Sequence, residues 1–110
     1  MDGADNIILV LPSSYHESMA RKMVPHLKDG QVVMLHPEAP CGAIAFRKVM
    51  KEMGCMADVV IGAACTLLYS TRIQKNDEVY IFGIKNVVPI AALPATDNAR
   101  LAAAICDVMP

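Results

Sequence analysis

No two of the six glycines, at positions 3, 30, 42, 54, 62 and 83, form a Gly-x-Gly pair. The glycine-rich turn that lets a backbone approach a pyrophosphate is therefore not written in this chain. The four cysteines, at 41, 55, 65 and 106, contain no Cys-x-x-Cys, and no histidine stands at zinc-ligand spacing from a cysteine pair. This argues against a metal site and favours reduced, buried thiols, with Cys41, in a loop before a helix, as the exception. Tryptophan is absent, only five residues are aromatic, and the net charge is −1, so no basic, aromatic-studded stripe draws the chain to nucleic acid or an anionic membrane. No uninterrupted apolar run approaches the roughly 18 residues of a membrane span. The start, Met1-Asp2-Gly3-Ala4-Asp5, lacks the basic, then apolar, character of a secretory signal, which leads to the expectation of a cytoplasmic protein. No Gly-x-Ser-x-Gly elbow or other nucleophile constellation is present, so no catalytic residue is assigned.

What is present is apolar residue in quantity, 55% of the 110 residues, which suits strands buried on both faces. Asn6–Leu11, ended by Pro12, reads as a buried strand. Ser14 and Glu17 have the spacing of a capping box. Met19, Ala20, Met23, Val24 and Leu27 then share one helical face, and Pro25 is expected to end that helix near Met23 or Val24. Gln31–Leu35 is a second strand. A second helix starts near Pro40 or Cys41, carries Ala43, Phe46, Met50 and Met53 on one face, and closes at Gly54. Asp58–Ala64 is a third strand. The pattern then changes to a hairpin, Arg72–Gln74 against Glu78–Ile84, with Asn76 and Asp77 in its turn. A further apolar run, Val87–Leu93, precedes a last helix capped by Thr96 or Asp97, with Leu101 and Ile105 on its inner face. Eight methionines at helical spacing read as core filler.

Helical crossovers between the first three strands make them parallel. The chain is therefore expected to be one α/β domain over residues 1–110. Its fold class is a partial Rossmann-like (doubly wound) domain: three parallel strands with crossover helices, then an antiparallel hairpin and strands and a C-terminal helix. Ligands of such sheets bind beyond the carboxyl ends of the strands. Those ends are Pro12–His16, His36–Gly42 and Ala63–Thr71, which converge on one edge.

The residues at that edge also carry a resemblance. Val10-Leu11-Pro12 then His16, Leu35-His36-Pro37, Gly42-Ala43 then Phe46-Arg47-Lys48-Val49, and Thr66-Leu67-Leu68-Tyr69 then Arg72 resemble the opine dehydrogenase family. So do Phe82-Gly83-Ile84-Lys85 and Ala91-Ala92-Leu93-Pro94-Ala95. The resemblance implies an NAD(P)H-dependent oxidoreductase that reductively condenses an amino acid with a 2-keto acid. The chain would be the later part of its N-terminal nucleotide-binding domain, without the Gly-rich first half or the helical catalytic domain, and inactive by itself. It further implies that Pro12, Ser13 and Ser14 face the pyrophosphate and ribose of NAD or NADP, and that His36, Pro37 and Gly42 lie near the nicotinamide. Thr66 and Thr71 would line the amino-acid site. The sequence departs from the family where Ala63-Ala64 replaces an acidic residue and Glu38-Ala39-Pro40-Cys41 replaces a more Gly-rich stretch. Glu38 would put a negative charge near a dinucleotide unless it points away or pairs.

Read from the residues alone, each candidate has a structural alternative. His16 is either a ligand contact or a first-turn surface residue, and His36 either a ligand-edge titratable group or a hydrogen-bonded structural histidine. Thr66 and Thr71 bond a substrate or the local backbone. Arg72 holds a carboxylate or opens a strand, and Tyr69 is a ligand contact or a core aromatic. The alternative to a dehydrogenase piece is a non-catalytic α/β binding or protein-interaction domain. In either case the Asn6–Leu11 strand offers an apolar, unprotected edge, from which self-association is expected.

Overall fold

The computed structural model describes residues 3–38, 40–106 and 108–109; Ala39, inside the His36–Gly42 loop, lies outside the described residues. A four-stranded sheet is built from β1 (Asn6–Leu9), β2 (Val32–Leu35), β3 (Val60–Ala64) and β6 (Ile90–Leu93), in the order β1-β2-β3-β6. The first three strands are parallel and β6 runs antiparallel to β3, with Gly62 opposite Ala92. Between β3 and β6 a hairpin of β4 (Tyr69–Lys75) and β5 (Glu78–Ile84) stands as a separate two-stranded sheet. Helices α1 (His16–Met23) and α2 (Gly42–Glu52) connect the parallel strands, and α3 (Asn98–Ile105) closes the chain's fold. This is the expected fold class.

Alternation along the strands divides the core in two. Leu9, Val33, Leu35 and Ile61 face α1 and α2, where they meet Ala20, Met23, Phe46 and Val49. Val32, Met34 and Val60 face the other way and pack against Leu101 and Ile105 of α3. A sheet covered on both sides needs apolar residues at consecutive positions, which is why these strands read as runs rather than alternations. Arg47 of α2 ties the second layer to the sheet edge: its Nε and a terminal nitrogen donate to the Leu93 carbonyl at 2.9 and 2.8 Å.

Several local expectations change. β1 stops at Leu9, not Leu11, because Leu9 pairs with Leu35, the last residue of β2, and His36 N–H then closes on the Leu9 carbonyl. The Ser14–Glu17 capping box does not form. Ser13–Tyr15 instead make one 3-10 turn, with Tyr15 N–H bonded to the Pro12 carbonyl, so α1 begins only at His16. Glu17 is then one turn from Arg21 and pairs with it at 3.0 Å. At α3 the same substitution occurs: Ala95–Asp97 form a 3-10 turn and the Asp97 carboxylate serves Arg100 rather than the helix backbone. Pro25 acts as expected, ending α1 at Met23. Gly54, with φ of +65°, follows the last residue of the α2 cap as a left-handed stop.

The cysteines are free, as expected, but not buried: Cys41, Cys65 and Cys106 are exposed and Cys55 is half-buried. The three exposed thiols stand just beyond the ends of strands or helices, where the backbone turns to the surface. Met23, Met34 and Met50 fill the core, whereas Met56, in the connection after α2, is 93% exposed. Among the described residues no group of His, Cys, Asp or Glu has the arrangement of a metal site. No helix among them is long and apolar enough to cross a membrane.

Candidate ligand site at the strand ends

Because β1, β2 and β3 are parallel, the segments following them meet at one edge, and the sheet divides that edge into two sides. On the α1/α2 side, Pro12, Ser13 and Ser14 form the exposed 3-10 turn leading into α1. Gly42 opens α2 beside them and is buried. His16 joins the two helix starts. Its ring is fully buried, which overturns the surface reading. Nε2 lies 3.2 Å from the Leu11 carbonyl, so it carries the proton, and Nδ1 has no hydrogen-bond partner among the described residues. That Nδ1 presses against Gly42: a Cβ there would lie 2.6 Å from it. Only glycine permits this approach of α2 to α1.

Glu38 resolves its own conflict. Its Oε1 accepts the Ala43 N–H at 3.1 Å, so the carboxylate caps the first turn of α2. A negative charge is thus paired with a backbone donor and a helix dipole. Cys41 turns the chain into that helix with φ of +75°.

On the α3 side, His36 continues the outward alternation of Val32 and Met34. It is 6% exposed, and its Nε2 accepts the Leu68 N–H at 3.2 Å. A backbone donor pointing at Nε2 requires the neutral ring with its proton on Nδ1. Burial lowers the His36 pKa below its ordinary value, and the nearby Lys85 ammonium lowers it further. The hydrogen-bonded structural role is therefore real, yet His36 also lines two adjoining clefts. The larger, about 610 Å³, includes Ile8, Val10, Tyr69, Thr71, Ile84 and Lys85 in its walls. The smaller, about 210 Å³, runs from His36 and Lys85 toward Ile90 and Ile105.

The structure thus brings His36 and Thr71 into one cleft, with Thr66 at its margin through a hydrogen bond from Lys85 Nζ. Pro12, Ser13, Ser14, Pro37 and Gly42 line neither cleft; the first three and Gly42 lie along the α1/α2 side of the same edge. Tyr69 is exposed at the cleft wall and is not a core aromatic. Arg72 is exposed within β4 and donates to the Thr71 carbonyl, as a strand residue would. Lys85 was carried in the sequence only inside a motif. Its position as a lone cation closing an apolar strand was the available signal.

Comparison with known proteins places this geometry. No protein-family model matches the chain. It is 33% identical over 107 residues, 97% of its length, to the opine dehydrogenase of Arthrobacter sp. (strain 1C). Octopine dehydrogenase structures superpose on 82% of the chain with a TM-score of 0.71 and 25% identity. The chain is thus similar, in sequence and in fold, to a part of the opine dehydrogenases. It spans about 30% of the Arthrobacter relative and 22–23% of the octopine dehydrogenase chains. Those octopine dehydrogenases were solved with NADH together with L-arginine, agmatine or pyruvate. The opine dehydrogenase likeness in sequence thus extends over both sides of the strand-end edge, from the Pro12 turn to the Leu93-Pro94 segment after β6.

Proposed function

We propose that this chain is the later part of the N-terminal, Rossmann-like NAD(P)-binding domain of an opine-type dehydrogenase. The complete enzyme would join an amino acid reductively to a 2-keto acid. The observation that carries the reading is the convergence of three loops at the carboxyl ends of parallel strands, which is where dinucleotides bind such sheets. The residues on the α1/α2 side are compatible with that ligand. Gly42 keeps the α2 start free of a side chain, Ser13 and Ser14 are exposed hydroxyls before α1, and the Glu38 charge is already paired.

In this reading Pro12, Ser13 and Ser14 hold the ribose and pyrophosphate side of NADH or NADPH, and His36, Pro37 and Gly42 the nicotinamide side. Thr66 and Thr71 border the amino-acid substrate. The bound nicotinamide supplies the hydride. The chain's own residues position, exclude water and hold a neutral imidazole at the edge; none of them is assigned a catalytic step. The isolated chain is expected to be inactive.

A second reading, a non-catalytic interaction domain, is favoured by one observation. The hairpin face bearing Ile73, Val79, Ile81 and Ile84 is exposed, with Ile73 at 78%. Calorimetric titration with NADH and NADPH separates the two. Heat of binding that is lost on shortening or stiffening the Pro12–Ser14 turn supports the dehydrogenase domain. A folded protein that binds neither nucleotide, alone or joined to a glycine-rich βαβ unit, supports the interaction domain.

A further inference from the structure

The two clefts on the α3 side meet at His36, Leu68, Lys85 and Met109, and the rest of their walls is mainly apolar, with Tyr69, Thr71, Asn86 and Cys106 the polar exceptions. Among the described residues Lys85 is the one cation in either wall, and no described aspartate or glutamate lines them. Among the described residues its ammonium pairs with no carboxylate; its side-chain partner is the Thr66 hydroxyl, which accepts from Nζ. The Lys85 backbone N–H is fixed to the Leu68 carbonyl at 3.0 Å, so the base of the side chain is anchored where His36 also bonds Leu68. His36 offers no competing charge, because its Nε2 accepts the Leu68 N–H.

A solitary ammonium at the mouth of an apolar cleft lacks the counter-ion that such a setting rewards. Coulombic attraction grows as water is excluded, and a ligand anion seated there would exclude it. A second polar group beside the ammonium gives the ligand direction as well as charge: the Thr66 hydroxyl, already accepting from Lys85, retains a proton to donate. The walls set the rest of the chemistry. Ile8, Val10 and Ile84 leave room for a short, apolar or weakly polar remainder, and offer nothing to a second charge.

We infer that Lys85, with Thr66, is the anchor for the carboxylate of a small organic acid, whose remainder lies against Ile8, Val10 and Ile84. The identity of that acid as a 2-keto acid rests on the dehydrogenase reading; the anionic anchor does not. Lys85 is a binding residue here, and no proton or electron transfer is assigned to it.

The test is a titration of the 110-residue chain, its Ile, Leu, Val and Thr methyls labelled, with pyruvate, with the neutral isostere pyruvamide, with inorganic phosphate and with NADH. Pyruvate is expected to shift the Ile8, Ile84 and Thr71 methyls saturably, and pyruvamide to leave them in place. Lys85→Gln should weaken pyruvate at least about tenfold, the lower end of what a hydrogen-bonded charge contributes. Lys85→Arg should keep part of the affinity, and neither variant should alter the response to NADH. Equal binding of pyruvate and pyruvamide overturns the inference. So does unchanged pyruvate binding in Lys85→Gln, absence of any methyl shift, or phosphate binding as tightly as pyruvate at the same methyls. Failure of NADH even with the chain joined to a glycine-rich βαβ unit, with the Lys85-dependent pyruvate shifts intact, would instead remove the dehydrogenase reading and leave the carboxylate anchor.

Discussion

Adding one methyl group at Gly42 tests how the α1/α2 side of the ligand edge is built. The new carbon would lie 2.6 Å from His16 Nδ1 and 3.2 Å from both Cγ and Oε1 of Glu38. Relaxed contacts lie near 3.5–4.0 Å, so the imidazole must retreat by about an ångström. It has nowhere to go, since the ring is fully buried and its Nε2 is held at the Leu11 carbonyl. Overpacking of this kind costs about 1–3 kcal/mol. Alanine's better helix propensity returns less than about 1 kcal/mol at a first helical position. A net loss of about 1–2 kcal/mol is expected for Gly42→Ala. In urea unfolding followed by circular dichroism this is a midpoint lowered by about 1 M, for a denaturant slope near 1–2 kcal/mol per M. In a double-mutant cycle with His16→Ala the cost should fall, because the small side chain makes room. A Gly42→Ala variant as stable as the parent, or one whose cost His16→Ala leaves unchanged, would refute the His16–Gly42 contact as the reason for glycine here.

Other expectations follow from single contacts. His36→Leu strands the Leu68 N–H and should cost about 1–3 kcal/mol in unfolding experiments. Because the folded-state pKa of His36 lies below its ordinary 6.5, its contribution is complete above that value. It declines as pH falls toward the folded-state pKa, with a slope of at most about 1.4 kcal/mol per pH unit, then levels off. The stability difference between parent and His36→Leu should shrink over that window; a constant difference would contradict the neutral, hydrogen-bonded ring. Arg47→Met removes both donors from the Leu93 carbonyl and should destabilise by about 1–3 kcal/mol, with faster exchange of amides in β6. The outer edge of β1 has no strand partner among the described residues, and Ile8 and Val10 are exposed beside it. Sedimentation should show self-association that Ile8→Lys or Val10→Lys suppresses, and a monomer at high concentration would refute this.

Much of the fold could be read from residue order. Continuous apolar runs at Asn6, Gln31 and Asp58, separated by helical periodicity, leave little choice but parallel strands with helical crossovers. The Lys75–Glu78 turn marked the hairpin in the same way. What escaped was settled by tertiary or local geometry that spacing does not encode. Ser14 and Glu17 fit a capping box, but a 3-10 turn satisfied Tyr15 N–H first and moved the helix start one residue onward. His16 looked like a surface residue because it opens a helix; its burial depends on α2 packing across it at Gly42. The Glu38 charge looked unfavourable until α2 turned its Ala43 N–H toward it. Lys85 left only the signal of a lone cation after an apolar strand, because its neighbours in the cleft come from β1, the segment after β3 and residues 108 and 109.

The most direct measurement is an amide-resolved titration of this chain with NADH, in parallel with the same chain fused to a Gly-x-Gly-x-x-Gly βαβ unit. The account predicts saturable shifts in the fusion at Ser13, Ser14, His36 and Gly42, with the same residues moving weakly or at much higher concentration in the chain alone. A folded fusion whose shifts fall at the opposite end of the strands, near Gly30 and Gly54, or nowhere, would contradict it.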